Sequence, residues 1–308
     1  MTELTASREP QTPSSDPHKV EILILGAGWL YQFLHPLLNH IHISHAGTTR
    51  NGHDNTIPFT FDHTSTDLQP YASLPTATTI LITFPLPGAS APKVLLDNYA
   101  ATHSHTPHPN TILLGSTGEY RGPGWHDRTS TPAGPPSERW QAENALLALP
   151  RRNGCVLNLA GLMGEPGRDA KIWDRAVPTT QDGLRAKASV HFVHGRDVAR
   201  AVVAVHKRFA EAMGQRWVLT DERVYDWWEL AWAEASRLDE RLVQEERRAG
   251  GYRRWIVELM QEEGVRALPR DGEVLGRRLD SRGFWQAFGI VPEERAFSWP
   301  TAPTPSNG

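Results

Sequence analysis

No stretch of the sequence carries the roughly 18 consecutive apolar residues that a membrane-spanning helix needs, so none is expected. Residues 1–18 are polar and rich in Ser, Thr and Pro, with neither the apolar centre of a secretory signal nor the Arg-rich pattern of a transit peptide. They read as a disordered leader, and 300–308, of the same composition, as a disordered tail. The single cysteine, Cys155, excludes an internal disulfide and points to a reducing, cytoplasmic compartment. Neither sign of charge dominates: a formal net charge of −3 gives nucleic acid or an anionic membrane nothing to respond to. Tryptophan is scarce only early in the chain. Of the 11 Trp, all but Trp29 lie beyond position 124, which means either a C-terminal half packed on indoles or an aromatic-lined pocket for a flat substrate.

With 308 residues, 39% of them hydrophobic, the chain can bury a core without disulfide staples. Short apolar runs predict strands at Val20–Leu25, Ile41–Thr48, Thr56–Phe61, Thr79–Phe84, Thr111–Leu114, Cys155–Leu159 and Trp217–Leu219. Helical spacing predicts Trp29–Leu38, shortened or kinked by Pro36, then Ala91–Ala101, and a helix to Leu149 capped by Ser137. Further helices are expected at Gly195–Phe209, Tyr225–Ser236 and the charged stretch Leu238–Glu263, whereas 121–136 is too dense in Gly and Pro to be regular. Strands joined by crossover helices make an α/β fold, a doubly wound parallel sheet whose ligands bind at the carboxyl edge.

Between the first strand and the first helix stands Gly26-Ala27-Gly28-Trp29-Leu30-Tyr31. In a dinucleotide fingerprint the first Gly makes the tight turn, and the second lets the pyrophosphate approach the backbone at the helix N-terminus. Gly26, Gly28, Trp29 and Leu30 are therefore the candidate cofactor contacts of a Rossmann core spanning 19–160. The third Gly is replaced by Tyr31, whose phenol either takes space beside the sheet or projects towards the phosphates. At the end of the second strand an NAD-binding protein usually places an acid; here stands Thr48-Thr49-Arg50. The Arg50 fork suits a 2′-phosphate and argues for NADP over NAD, unless Arg50 is simply a solvated surface residue. Asp62 is either an adenine-contacting acid or a turn residue.

Taken in order, these residues resemble the extended, atypical branch of the short-chain dehydrogenase/reductases, over roughly Lys19 to Trp299. Gly26-Ala-Gly28 with Gly47-Thr-Thr-Arg50 is similar to its nucleotide end, and Leu114-Gly-Ser116-Thr117-Gly118-Glu-Tyr120-Arg-Gly122 to its active-site strand. Leu159-Ala-Gly-Leu-Met-Gly164, His194-Gly-Arg-Asp197-Val-Ala and Trp217-Val-Leu-Thr-Asp221 resemble later segments. The family's acid is a Tyr four residues before a Lys, which itself lies four before a Glu. Aligned on Glu143, Arg139 takes the Lys position and Pro135 the Tyr position. Arg139 is then implied to bring positive charge to the nicotinamide ribose, but a Pro has no proton to give. Ser116 or Thr117 matches the position that hydrogen-bonds a substrate carbonyl. Tyr120, Glu119, Ser116 and Thr117 are the candidate replacements for the missing acid, with Tyr120 alternatively a packing residue.

Other polar clusters read as structural. His103, His105 and His108 lack a Cys or acid partner, so no metal site is expected. The resemblance gives His194 a part in shaping the site, and Asp197 is expected to cap the helix after it. Asp239–Arg248 reads as a solvated helix face; Leu268-Pro-Arg270 and 277–282 read as ion pairs rather than an acidic-substrate site. The resemblance implies an enzyme using NADP, or NAD, on a small organic carbonyl or hydroxyl substrate, with 161–299 completing the core and forming a smaller substrate-covering region. A non-redox enzyme (cyclase, isomerase or dehydratase) or a dinucleotide-sensing regulatory protein remain alternatives on the same scaffold. A small molecule is the expected partner, with no nucleic acid and no membrane; homodimerisation stays open.

Overall fold

The computed structural model describes residues 19–104, 107–150, 153–165, 169 and 174–294. The expected leader and tail, with His105, lie outside them. Seven strands form one sheet: β1 (Lys19–Leu25), β2 (His45–Thr49), β3 (Ile57–Pro58), β4 (Thr76–Ile82), β5 (Asn110–Ser116), β6 (Gly154–Leu159) and β7 (Arg216–Leu219). Their order is β7-β6-β5-β4-β1-β2-β3 and every neighbouring pair is parallel. The chain winds outward from β1 to β3, then returns to β4 and winds the other way. This is the doubly wound Rossmann arrangement, and its direction reverses between β1 and β4, where a crevice opens at the strand ends.

The central strands β1, β4, β5 and β6 carry apolar runs without alternation because both faces are covered. Ile22, Ile24, Leu81, Ile112, Leu114, Cys155 and Leu157 point to a core shared with α1 (Tyr31–His40). Their sequence neighbours Leu23, Leu25, Ile80, Ile82, Leu113 and Val156 point to the opposite core, closed by α2 (Ala91–Thr102) and α3 (Glu138–Ala148). Helix α4 (Gly195–Lys207) lies beside α1, burying Val198, Ala199, Val202 and Val205 as its spacing requires. Ser137 caps α3, its side chain accepting from Trp140 N at 3.2 Å.

Several local expectations shift. The strand expected from Ile41 starts only at His45, because His42 adopts a left-handed φ of 56° and turns the chain first. The third strand shrinks from Thr56–Phe61 to two residues at the sheet edge, where Pro58 can sit without a ladder donor. Helix α1 continues through Pro36 to His40; buried Leu34 and Leu38, one turn apart, hold both sides of the proline on the sheet. Asp197 does not cap α4. The cap is His194, accepting from Arg196 N at 3.2 Å, while the buried Asp197 carboxylate accepts from the backbone N–H of Glu293 and Glu294, both at 3.0 Å.

The C-terminal region has its own core, in which Leu184, Phe192, Trp227, Trp228, Trp255 and Ile256 meet. Tyr225–Asp226 is strand, pairing antiparallel with Ser189–Val190, and Asp226 caps helix α5 (Trp227–Ala233). The charged stretch is not one helix: it breaks before α6 (Gly251–Glu262), where Gly250 and Gly251 take φ of 114° and 57° and Asp239 accepts from Tyr252 N at 2.9 Å. Arg270 is buried with Asp226 (2.7 Å) and lies over the Trp228 ring at 3.8 Å, so its role is structural. Arg277–Leu279 then pairs in parallel with Gly124–His126, bringing the chain back beside the turn that follows β5. Among the described residues, no helix is long and apolar enough to cross a membrane.

Candidate functional site

A cleft of about 1270 Å³ runs along the carboxyl edge of the sheet. Its lining passes from Thr48–Asn51 and Phe59–Phe61 at the β2–β3 side, through Gly26–Leu30 and Thr83–Pro85, to Leu114–Ser116, Leu159–Ala160 and Arg139. The volume exceeds the roughly 300–1,000 Å³ of common small-molecule sites, so a long ligand fits. Among the described residues that line it, Arg50 and Arg139 are cationic and none is Asp or Glu.

The glycine turn is built by its neighbours. Gly26 N donates to Thr48 Oγ1 (3.0 Å), Ala27 N to the Thr48 carbonyl (2.6 Å), and Thr83 Oγ1 donates to the Gly26 carbonyl (2.6 Å). Gly26 has φ +95°, and a Cβ there would stand 2.5 Å from Thr83 Oγ1. A Cβ on Gly28 would meet no atom within 4 Å, because Gly28 borders the cleft. The first turn of α1 has no side-chain cap and no acid of its own, and the nearby Glu165 carboxylate is taken up by the Gln32 side chain, which donates to it at 3.1 Å. This lining fits a dinucleotide: a glycine that leaves room, an uncapped helix start and two guanidinium groups.

Tyr31, in the place of the third glycine, does not border the cleft. Its ring lies back over Gly47 of β2, where a Cβ would stand 2.8 Å from Tyr31 Cε2, and it stacks beside His35 with centroids 4.9 Å apart. The missing glycine in the helix is thus matched by a glycine in the strand. Trp29 and Leu30 line the cleft; Phe61 and Phe84 stack at its β3 side, with centroids 6.1 Å apart. Arg50 is exposed and, among the described residues, pairs with no acid.

Asp62 does not line the cleft. It is a turn residue whose carboxylate accepts from Thr64 N (2.8 Å) and Thr64 Oγ1 (2.7 Å), bonds that hold its pKa below the ordinary value. At the other end the sequence candidates separate. Ser116 and Arg139 border the cleft, while Thr117 and Glu119 are buried behind it. Tyr120 is fully buried against Trp140, its hydroxyl donating to Asn158 Oδ1 at 3.4 Å, and burial drives its pKa upward. It is therefore the packing residue rather than an acid facing the cleft. Pro135 is exposed and lies before α3 begins, so the helix turn that would carry the family's Tyr is absent.

Arg139 Nη2 donates to the Leu114 carbonyl (2.9 Å), and Nε stands 3.7 Å from Glu143. Burial lowers its pKa, and the Glu143 and Glu119 carboxylates raise it. Glu143 is itself 1% exposed and accepts from Asn158 Nδ2 (2.8 Å) and Arg216 Nη2 (3.3 Å). Neither Asn158 nor Arg216 stood out in the sequence. Their only signal was polarity inside strands otherwise apolar.

His103 and His194, both singled out in the sequence, take structural places, whereas His53 and His63 line the cleft. His103 lies against Tyr99 and bonds the Leu74 carbonyl (2.9 Å), and among the described residues no group of His, Cys, Asp or Glu could hold a metal ion. His194 caps α4 and packs edge-on against Phe33. Of the tryptophans, Trp140, Trp217, Trp227, Trp228, Trp255 and Trp285 are buried in cores. Trp29 is the one that lines the cleft among the described residues.

No family model and no curated protein matches the sequence. Solved structures do match in three dimensions. A putative NAD-dependent epimerase/dehydratase from Methylobacillus flagellatus superposes with a TM-score of 0.57 at 18% identity, over 89% of this chain and 94% of that one. The UDP-N-acetylglucosamine 4-epimerase of Bacillus cereus gives 0.57 at 12% identity, over 90% and 95%. A short-chain dehydrogenase/reductase superfamily protein from Agrobacterium tumefaciens, with bound NAD, gives 0.54 at 11% identity, over 91% and 94%. The chain thus has an α/β Rossmann-like fold similar to that of these epimerase/dehydratase and short-chain dehydrogenase/reductase structures.

Proposed function

We propose that the chain binds a nicotinamide dinucleotide along this cleft, NADP in preference to NAD, and acts on a small organic carbonyl or hydroxyl substrate. The observation that carries the reading is the lining: an open glycine turn at an uncapped helix start, with two arginines and, among the described residues, no carboxylate. An acid at the end of β2 would bond ribose hydroxyls; Arg50 instead offers an unpaired planar cation to a 2′-phosphate. Phe61 and Phe84 give the adenine an apolar flank.

When bound, the nicotinamide would supply or accept a hydride. Ser116 Oγ already accepts from Gly118 N (3.2 Å), which leaves its own proton to donate to a substrate oxygen. Arg139 adds a fixed positive charge. Neither serves as a general acid at neutral pH, and among the described residues this end of the cleft has no Tyr, Lys, His, Cys or carboxylate. The proton of the reaction therefore exchanges with water. The same observation favours a second reading, in which the protein binds dinucleotide without turnover, as a sensor.

Titration with NADPH and NADH, followed by tryptophan fluorescence, tests the proposal. NADPH is expected to bind more tightly; no binding at millimolar NADPH overturns both readings. NADPH oxidation across a panel of small carbonyl compounds then separates them.

A further inference from the structure

Glu143 is a carboxylate sunk behind the cleft floor, and three elements are shaped to receive it. It follows Arg139 by one turn of α3. Asn158 of β6 donates to its Oε2 at 2.8 Å, and Arg216 of β7 reaches the same oxygen at 3.3 Å. Its Oε1 faces Ser116 N at 3.4 Å and Arg139 Nε at 3.7 Å. Room for it exists only because residue 115 is glycine: a Cβ there would stand 2.5 Å from Glu143 Oε1. Arg216 is itself held in place, its guanidinium lying over the Trp140 ring at 3.5 Å.

Burying a carboxylate is costly unless it is paired and hydrogen-bonded, as Glu143 is by Arg216 and Asn158. Glu143 does not line the cleft, yet the two groups facing its Oε1 belong to residues that do, Ser116 and Arg139. Arg139 is anchored at one point by the Leu114 carbonyl, and its Nε is a buried donor without a hydrogen-bond acceptor that, among the described residues, lies within ion-pair distance of Glu143 alone. Because Arg216 shares the carboxylate, Glu143 orients Arg139 without fully neutralising it. We propose that Glu143, seated by Asn158 and Arg216, is the positioning residue that sets the Arg139 guanidinium at the end of the cleft taken by the nicotinamide half. This rests on the dinucleotide reading above.

The test compares NADPH with 2′,5′-ADP, which carries the 2′-phosphate and adenosine but no nicotinamide half. Both should bind the unaltered chain. Glu143→Gln, shown to be folded by near-UV circular dichroism, is expected to weaken NADPH about tenfold and leave 2′,5′-ADP unchanged. Arg139→Ala should show the same split, and the double variant should bind NADPH no worse than Arg139→Ala alone, since Glu143 acts through it. Equal weakening of both ligands by Glu143→Gln, no weakening of either, or additive losses in the double variant would each overturn the proposal. If neither ligand binds the unaltered chain, it is the dinucleotide reading that falls. Should Glu143→Gln not fold, Arg216→Gln is expected to give the same split in smaller measure, and equal loss of both ligands there overturns the proposal likewise.

Discussion

The two ends of the cleft each hold one arginine, and they are built in opposite ways. Arg50 stands on an exposed turn after β2, with no acid to hold it among the described residues. Arg139 is half-buried, tied to a main-chain carbonyl and set against a carboxylate that is itself gripped from two strands. An unheld cation recognises a mobile, strongly charged group such as a phosphate at little structural cost. A held cation positions something. On the dinucleotide proposal, that difference makes the first end the one that serves affinity and specificity, and the second the one that serves geometry.

The glycine turn between the ends should show the largest effect. Gly28→Val places a branched side chain in the open space beside the uncapped helix start, and is expected to weaken NADPH by about 100-fold or more in a protein that still folds. Gly26→Ala acts differently. At φ +95° and 2.5 Å from Thr83 Oγ1, the new methyl should lower unfolding stability by roughly 1–3 kcal/mol in urea denaturation. A stable Gly26→Ala protein would break the distinction drawn between these two glycines.

Arg50→Ala comes next. Losing a charge-assisted contact to a phosphate should weaken NADPH by about 10- to 100-fold and NADH by less than about 2-fold, as measured by titration. Equal losses would remove the specificity assigned to that end.

Acid should then distinguish the two ends. His191 is buried, and its Nε2 accepts from Leu279 N (3.1 Å) in the segment whose Arg277 holds the turn after Ser116. Burial pushes its pKa down to about 3. Because the folded-state value lies below the unfolded one of about 6.5, its contribution is complete above that pH and is lost as pH falls towards 3. The slope is about 1.4 kcal/mol per pH unit for this proton, and His191→Gln should flatten it in unfolding measured from pH 7 to pH 4. An unchanged pH profile in that variant would show that the turn behind Ser116 is not acid-sensitive through His191.

The smallest effect is expected from Tyr120→Phe. Only a 3.4 Å hydrogen bond to Asn158 is removed, so stability should fall by less than about 1 kcal/mol and NADPH affinity should not move. A change in affinity would bring Tyr120 back to the cleft and weaken the contrast between the ends.

Much of this was legible in the sequence, for physical reasons. Near-continuous apolar runs separated by amphipathic helices admit only a sheet covered on both faces, and Gly26-Ala27-Gly28 between strand and helix marks where its edge opens. The position of Tyr31 was not legible. One deviation, a bulky residue where a glycine is usual, made sense only with the glycine at 47 facing it across α1 and β2. The roles of Tyr120 and Asp62 were likewise ambiguous, because a polar residue after a strand turns to the cleft or away from it according to loop geometry.

By itself, the sequence determined the doubly wound fold, the glycine turn, the Arg at the end of the second strand and the absence of a Tyr–Lys pair. These depend on local spacing and residue type. Only the tertiary structure decided that Arg139 reaches the cleft, that Tyr120 does not, and that Glu143, Asn158 and Arg216 meet behind it. Those contacts join residues from α3, β6 and β7, and long-range packing leaves no periodic trace in the chain.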